Sequence, residues 1–264
     1  MMGVVRQMSA GERISTIIRV VMHRKARNKD KNKPPASPTE EPKPYLDAQN
    51  VKAQIIEFDI REIVWLPHGL EQNEWLCTNT LSFFNNVNVL YGVLAGQFCT
   101  NESCTSMSAP GNVQYQWHDD RGKKVKCTAP QYIEYVMVFA QKHIDDEGVF
   151  PTKYGKVFPA DFESVVQRIL RFLFQVLEHI YCAHYDHMMR LDLHCHLNTI
   201  FTHMVLFTQE FKLLERKEIS GSLEDLKEAL HISLSLSSST STSQSQGSSS
   251  SASSNSQSNL NTNP

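Results

Sequence analysis

The sequence of 264 residues predicts an all-α fold: a helical bundle with one short β-hairpin, flanked by disordered tails. Apolar residues recur at steps of three and four over three long stretches, which is the pattern of a helix with one buried face. Both ends of the chain lack that pattern. Cysteines and histidines gather where two of the predicted helices meet, and such a gathering is typical of a structural metal centre.

The two tails set the boundaries of the predicted domain, residues 45–231. In the leader, residues 1–44, one short amphipathic helix is predicted near residues 14–21, and the basic run at 23–33 precedes a proline-rich spacer that cannot continue a helix. Such a run is more often a solvated tail than a nuclear-localisation signal. Residues 232–264 are mostly Ser, Thr, Gln and Asn, too polar to offset the entropy of ordering.

The net charge of −2 hides an asymmetry. Residues 1–50 hold 10 Lys and Arg against 5 Asp and Glu, and the remainder holds 16 against 23. An acidic body argues against nucleic acid as the main partner and for a basic protein, although nucleic-acid binding through the leader is a weaker alternative. Six cysteines without a signal peptide predict a reducing compartment, so we expect a cytoplasmic and also a nuclear protein, with no membrane span.

The first long helix is predicted over residues 70–98. Its start carries Glu71, Glu74 and Trp75, for which two interpretations stay open. Acids in a first turn stabilise a helix through its dipole, and the tryptophan then belongs to the core. Alternatively, the three form a binding edge for a cationic helix. The apolar face follows the helical period: Leu76, Phe83, Phe84, Val87, Leu90, Tyr91 and Leu94.

Three further elements come next along the chain. A hairpin is predicted because Val113, Tyr115 and Trp117 alternate before a turn at residues 120–122. Pro130 fits the first position of the following helix, whose stripe is Ile133, Val136, Met137, Ala140 and Ile144. A last short helix is predicted to start at Ser222, with Asp225 completing a loose capping box.

Two helices in the second half hold six of the eleven histidines. The first buries the stripe Phe162, Val166, Ile169, Leu170, Leu173, Leu177, Ile180 and Tyr181. The second buries Leu193, Leu197, Ile200, Phe201, Met204 and Phe211. Between the two stripes lie His179, Cys182, His184, His187, His194, Cys195 and His196.

A zinc site is the first explanation to test for this cluster. Cys99 and Cys104 supply two thiols upstream, and with His179 and His184 they make a Cys2His2 set. Two residues five apart on an ideal helix point about 140° away from each other. The two histidines therefore reach one ion only if the helix ends or bends near Cys182.

Several alternatives to that set stay open on spacing alone. The rival histidine pairs are His184 with His187 and His194 with His196. The histidines and cysteines are also compatible with a core that holds no metal. A zinc-dependent enzyme that uses the cluster is the alternative function. It is the weaker one, because a catalytic zinc usually has three protein ligands and an open position.

Catalytic motifs are missing from the sequence, which has no Gly-rich phosphate loop, no H-E-x-x-H and no G-x-S-x-G. Cys182 with His184 and Asp186 is a weak candidate for a thiol catalytic set, because such partners are usually distant in sequence.

Eight segments carry a resemblance to a known family: EFDIRE, LPHGLEQNEWL, NTLSFFNNVNVLYG, FCTNESC, KKVKCTAPQYIEYVM, VFPTKYGKVFPADF, LEHIYCAHY and HLNTIFTHMVLFTQEFKLL. Together they resemble the Mob (Mps-one-binder, or phocein-like) family of kinase adaptors, from Tyr45 to Leu230 nearly without interruption. The wording of KKVKCTAPQY and VFPTKYG is similar to the subgroup that partners NDR-type kinases.

The resemblance implies a Mob-type helical bundle with one structural zinc, held by Cys99, Cys104, His179 and His184. It also implies a non-catalytic activator that captures the basic N-terminal regulatory segment of an NDR/LATS-type serine/threonine kinase. The implied kinase-binding residues are Glu71, Glu74, Trp75, Leu90 and His203.

Two departures from the best-known Mob subgroup bear on partners. One of its acidic positions is Leu70 here, which bears on the choice of kinase. That subgroup also holds a phosphorylated upstream-kinase peptide with three basic residues, and the matching positions here are Arg171, Phe172 and Gln175. A phosphate needs several charge-assisted donors. We therefore expect no phosphopeptide site of that kind.

Overall fold

The structure is a computed structural model, and it describes residues 43–119, 121–153, 155–215 and 223–230. The predicted disordered tails lie outside these residues, apart from Lys43 and Pro44. The predicted domain boundaries therefore stay predictions.

The described residues are mostly helical, as the sequence predicts. The α-helices are α1 (Ala48–Val51), α2 (Gln72–Leu94), α3 (Ala129–Ile144), α4 (Phe162–Ala183), α5 (Tyr185–Arg190), α6 (His194–Glu210) and α7 (Glu224–Ala229). Short 3₁₀ helices span Pro44–Leu46 and Ile60–Ile63. Within the described part of the chain, none of the helices has the length and apolar character that a membrane crossing requires.

Helix α4 lies at the centre of the core, where it packs against α2, α3 and the first strand, β1 (Met107–Ala109). Every residue of its predicted stripe is buried, and so are most members of the predicted α2 face. Helix α2 is shorter than the predicted span of residues 70–98. It ends at Leu94 because the chain turns at Gly96, whose φ of +75° is a left-handed conformation that glycine adopts without strain.

The predicted single hairpin is two separate strand pairs. Strand β1 (Met107–Ala109) pairs antiparallel with β2 (Val113–Tyr115), and β3 (Trp117–His118) pairs antiparallel with β4 (Lys124–Val125). The alternating residues Val113, Tyr115 and Trp117 thus belong to two strands with different partners. The signal that sequence reasoning missed is Gly111–Asn112, where two consecutive residues have positive φ and reverse the chain.

Two predicted helix starts are displaced by a residue or two. Thr128 caps α3 in a capping box with Gln131, so Pro130 occupies the second helical position rather than the first. Helix α7 begins at Glu224, and its N-cap residue Leu223 makes no side-chain capping bond. Ser222, the predicted capping residue, lies outside the described residues.

An irregular segment, residues 53–66, crosses the ends of two helices and is called the strap below. At one end Asn198 of α6 donates a hydrogen bond to the Ala53 carbonyl at 3.1 Å, and the Ile55 amide donates to Thr199 at 3.1 Å. At the other end the Trp75 indole N–H donates to the Val64 carbonyl at 3.0 Å. The strap is thereby fixed between α6 and the start of α2.

Candidate metal centre and partner-binding face

The structure brings Cys99, Cys104, His179 and His184 together. All four are buried, and one ligand atom from each lies within 4.8 Å of the others. Within the described ranges they form the one group of His, Cys, Asp or Glu residues arranged to hold a metal ion. The donors come from the turn after α2 and from the end of α4, which are distant in sequence.

The end of α4 explains how two histidines five residues apart face the same point. The helix stops at Ala183, and His184 is its C-cap residue, with φ −133° and ψ 10° outside the helical region. The next helix, α5, starts at once at Tyr185. The prediction that the helix must end near Cys182 is therefore confirmed, and the break turns the His184 ring back towards His179.

The spacing of the donor atoms fits a tetrahedral zinc ion. Bonds of about 2.3 Å to sulfur and about 2.05 Å to nitrogen give sulfur–nitrogen edges of about 3.6 Å in a regular tetrahedron. Cys99 Sγ lies 3.7 Å from His179 Nε2, and Cys104 Sγ lies 3.4 Å from His184 Nε2. Four protein donors also fill the tetrahedron, which is the arrangement of a structural site.

Neighbouring groups orient two of the four donors. The His179 Nδ1–H donates a hydrogen bond to the Ser108 carbonyl of β1 at 2.9 Å, which fixes the tautomer and leaves the Nε2 lone pair directed at Cys99. The Tyr91 hydroxyl of α2 lies near the Cys99 sulfur. Such contacts hold a ligand in position and are common around structural metals.

The electrostatics of the cluster also favour a cation. Burial and the neighbouring Cys104 raise the pKa of the Cys99 thiol to about 12. Burial lowers the pKa of His184 to about 4, so its ring is neutral at physiological pH and has a lone pair to donate. A divalent ion in the cluster would stabilise the thiolate form of Cys99 and would need neutral imidazoles, so these residues fit zinc.

The rival ligands do not join the cluster. The His187 ring instead packs against Phe98, with centroids 4.3 Å apart. His194 lies beside Cys195, with its Nε2 3.5 Å from the sulfur. Cys182 is an exposed thiol, and within the described residues it belongs to no group of metal-ligating side chains.

The predicted binding edge at the start of α2 is accessible. Glu71 is the N-cap residue and Glu74 lies in the first turn, and both are exposed. Neither forms a salt bridge within the described part of the chain. Trp75 is half-buried against the core and holds the strap through its indole, which agrees with the core interpretation, while the binding role stays a prediction.

The other two predicted residues lie deeper. Leu90 is only 3% exposed and belongs to the core, and it stands about 22 Å along α2 from Trp75. It therefore supports the bundle and is not part of an exposed edge. His203 of α6 is half-buried with its ring 4.7 Å from that of Phe83, and burial lowers its pKa to about 4.

The strap contributes exposed apolar residues that sequence reasoning missed. Five of the nine large hydrophobic side chains exposed among the described residues lie there: Ile55, Phe58, Ile63, Trp65 and Leu66. Ile56, Ile60 and Val64, at steps of four, take the inward positions. One sequence feature could have revealed these exposed residues: the strap contains more apolar residues than a single buried face can accommodate. The acids Glu57, Asp59 and Glu62 alternate with them.

The three positions that match the phosphopeptide site of the best-known subgroup are used differently here. Phe172 packs between Trp117 and Phe139, with ring centroids 5.3 Å from each. Gln175 accepts a hydrogen bond from the Tyr132 hydroxyl at 2.5 Å. Arg171 is the single charge at these positions, as the sequence indicates.

We expect titration with a phosphothreonine peptide to show no binding that depends on the phosphate. Of the three positions that bind the phosphate in the best-known subgroup, only Arg171 keeps a charge here, and one guanidinium at those positions supplies too few charge-assisted donors to offset the desolvation of a dianion. The measurement is a calorimetric titration with the phosphorylated peptide and its unphosphorylated twin. Micromolar binding of the phosphorylated form alone would show that the expectation is wrong.

The sequence is matched by a family of known proteins. Residues 52–222 match the Mob1/phocein family. Over 206 residues the chain is 50% identical to the human protein named MOB kinase activator 2, covering 78% of this chain and 85% of that protein. The mouse protein of the same name is 48% identical over 206 residues, which is 78% of this chain and 86% of the mouse protein. MOB kinase activator-like 2 of Drosophila melanogaster is 43% identical over 210 residues, 80% of this chain but 36% of that longer protein.

The chain therefore belongs to the Mob1/phocein family. Proteins of this family are regulatory adaptors, which confirms the prediction that the chain is not an enzyme. The alternative prediction, a zinc-dependent enzyme that uses the histidine-rich cluster, is therefore wrong.

Proposed function

We propose that this protein is a non-catalytic activator of an NDR-type serine/threonine kinase and binds the basic N-terminal regulatory segment of that kinase. Family membership and the name kinase activator, which the similar human and mouse proteins carry, support the general role. The observation that carries the proposal is the surface made by the strap and the start of α2. There, exposed apolar side chains shortly precede, in the chain, two exposed carboxylates that form no salt bridge among the described residues.

This surface, called the docking face below, fits an amphipathic basic helix. Trp65 and Leu66 precede α2 by a turn of five residues, and Glu71 and Glu74 are one turn apart on the same side at the start of that helix. An apolar stripe on the partner would cover the strap, and its Lys and Arg residues would face the two carboxylates. Apolar anchors provide most of the affinity in such a contact, while the charges provide orientation and association rate.

Activation of the kinase then follows from ordering of its regulatory segment on the docking face. A regulatory segment that is disordered alone loses conformational entropy when it folds onto the docking face. The activator compensates for that loss with binding energy and shifts the kinase towards the population in which the segment is ordered. Leu70, which stands between the strap and Glu71 in place of an acid, would favour kinases with an apolar residue at the facing position.

We propose zinc as the ion of the buried cluster, with a structural role. When bound, it supplies a cross-link between the Cys99–Cys104 turn and the end of α4. The fit of the sulfur–nitrogen distances to a tetrahedron supports zinc, as does the pairing of two thiols with two neutral imidazoles.

The docking face is tested by Trp65→Ser. Trp65 is 61% exposed, so its replacement should leave the fold unchanged. A tryptophan anchor in an interface is worth about 2 kcal/mol, so we expect affinity for the basic kinase segment to fall about thirtyfold. The measurement is calorimetric titration of the full chain with a synthetic basic segment of an NDR-type kinase.

Val157→Ser is the matched control, because Val157 is 89% exposed in a loop outside the docking face. It should bind like the parent protein. Equal binding by the Trp65 variant would contradict the placement of the partner on the strap. Absence of binding by the folded parent protein would contradict the proposed partner itself.

A further inference from the structure

A second surface, on the hairpin of β3 and β4 and on helices α3 and α4, is aromatic and basic. We call it the aromatic face; it consists of Trp117, Tyr135, Val138, Phe139, Arg168 and Phe172. The Trp117 ring lies 5.4 Å from Tyr135 and 5.3 Å from Phe172, and Phe139 lies 5.3 Å from Phe172. These contacts fix the rings in place. Tyr135 is 39% exposed and Val138 62% exposed, one turn apart on α3.

Arg168 is held over this surface by its neighbours. Its guanidinium carbon lies 4.5 Å from the centroid of Phe139 and 5.7 Å from that of Phe172. Stacking on two rings orients the group but leaves its N–H donors available in the plane of the guanidinium. Arg168 has no carboxylate partner among the residues that the structure describes.

Further cations lie near the aromatic face. Lys142 follows Val138 and Phe139 by about one turn on α3, and Lys123 lies in the turn that leads into β4; both are exposed, and in the described ranges neither forms a salt bridge. Lys124 pairs with His118, so it projects from the side of the strand pair opposite to Trp117.

Among the nearby acids, Glu134 lies one turn before Val138 on α3 and close to Tyr91, and two others are engaged by hydrogen bonds. Asp119 accepts hydrogen bonds from the backbone of its own turn, and Glu163 accepts from Gln167 on its own helix. This surface is positive on a body whose net charge is negative.

The charge decides what can cover the surface. The leader of this chain is basic and would be repelled, and residues 232–264 contain no carboxylate at all. A second copy could offer the acidic docking face, but pairing two different faces is a head-to-tail contact that does not close on itself. These observations leave a segment of another protein as the occupant.

We propose that the aromatic face binds an acidic, unphosphorylated linear segment of a second protein. One aromatic or large aliphatic side chain of that segment packs on Tyr135 and Val138, and the carboxylates of the segment bond to Arg168 and Lys142. The two faces then take partners of opposite charge, a basic segment at the strap and an acidic one at the hairpin. The protein joins these two partners.

The test is selection of a displayed library of random twelve-residue peptides on the full chain, with counter-selection on the double variant Val138→Glu, Arg168→Glu. We expect the peptides that bind the parent chain but not the double variant, and so remain after counter-selection, to be acidic and to carry an aromatic or large aliphatic residue. One such peptide, titrated calorimetrically, should bind the double variant about thirtyfold more weakly than the parent. Replacing its Asp and Glu by Asn and Gln should weaken binding to the parent as well.

Met189→Glu, Arg190→Glu is the matched control, because it changes an exposed apolar and an exposed basic residue on α5. It should bind the acidic peptide like the parent. Both double variants should bind the basic kinase segment like the parent, so failure here is separable from failure of the proposed function.

Four results would overturn the proposal, the last of them self-association. The first is an empty set of peptides after counter-selection, and the second is a set that is basic. The third is a phosphothreonine peptide that binds in a phosphate-dependent way and is lost in the Val138, Arg168 variant. Self-association of the parent chain that the same variant abolishes would identify a second copy as the occupant instead.

Discussion

Replacement of Cys104 by Ser is expected to unfold the helical bundle under conditions in which the parent protein is folded. The free energy of metal binding is part of the folding free energy when the site exists only in the folded chain, and for structural zinc in small domains it reaches about 10–16 kcal/mol. The whole stability of a domain is about 5–15 kcal/mol. Loss of one ligand therefore removes a large share of the stability.

The geometry gives a second reason for this large effect. Cys104 Sγ lies 3.4 Å from His184 Nε2. The Cys104 carbonyl accepts a hydrogen bond from the Ala129 amide at the start of α3. Cys99 is buried and would be left beside two unpaired imidazoles, which costs desolvation energy without compensation. The end of α4 and the start of α3 would lose their shared support.

Thermal unfolding followed by circular dichroism, together with zinc content measured by atomic absorption, tests this expectation. The Cys104→Ser protein should lack zinc, and its cooperative transition should vanish or fall by more than about 10 °C, since 1 kcal/mol corresponds to about 2–4 °C for a domain of this size. Cys182→Ser, which changes an exposed cysteine outside the cluster, should melt like the parent. A zinc-free Cys104 variant that melts with the parent would refute the structural role.

The double charge reversal Glu71→Lys, Glu74→Lys is expected to weaken binding of the basic kinase segment by at least about a hundredfold. Each substitution replaces an attraction by a repulsion, and like charges at an interface cost several kcal/mol. Both side chains are exposed, so the variant should keep the fold of the parent. Affinity of the parent should also fall as salt is raised, because exposed charges are screened.

Calorimetric titration at two salt concentrations measures both effects. The matched control is Glu102→Lys, Glu134→Lys, which changes the net charge equally but lies near the other end of α2, close to the metal cluster. If both double variants lose affinity alike, the attraction comes from net charge and not from the docking face. If neither does, the partner binds elsewhere.

The helices were predictable because their signal is periodic. The stripe from Phe162 to Tyr181 is buried along its whole length, since a long amphipathic helix leaves little choice about which face turns inward. The Cys2His2 set was predictable in composition, but the choice of His184 over the other histidines needed the helix end. No single residue in the sequence predicts where that helix ends. Only the resemblance to the Mob family implied that His179 and His184 are the two histidine ligands.

The strap and the strand pairs were less predictable for physical reasons. A segment without regular secondary structure has no fixed period, so Phe58 and Trp65 could not be assigned to the inside or the outside. Alternation at Val113, Tyr115 and Trp117 predicts extended chain but does not specify a partner strand. Leu90 was assigned to the binding edge by resemblance alone, and its burial follows from the packing of α2.

The spacing of the metal ligands has a consequence for synthesis of the chain. Cys99 and His179 are separated by 80 residues, and so are Cys104 and His184. At about 5–20 residues per second, a ribosome needs about 4–16 s to add the histidines after the cysteines. During that interval the thiols have no partner and are open to oxidation, so the yield of zinc-loaded protein should depend on how strongly reducing the cell is while translation proceeds.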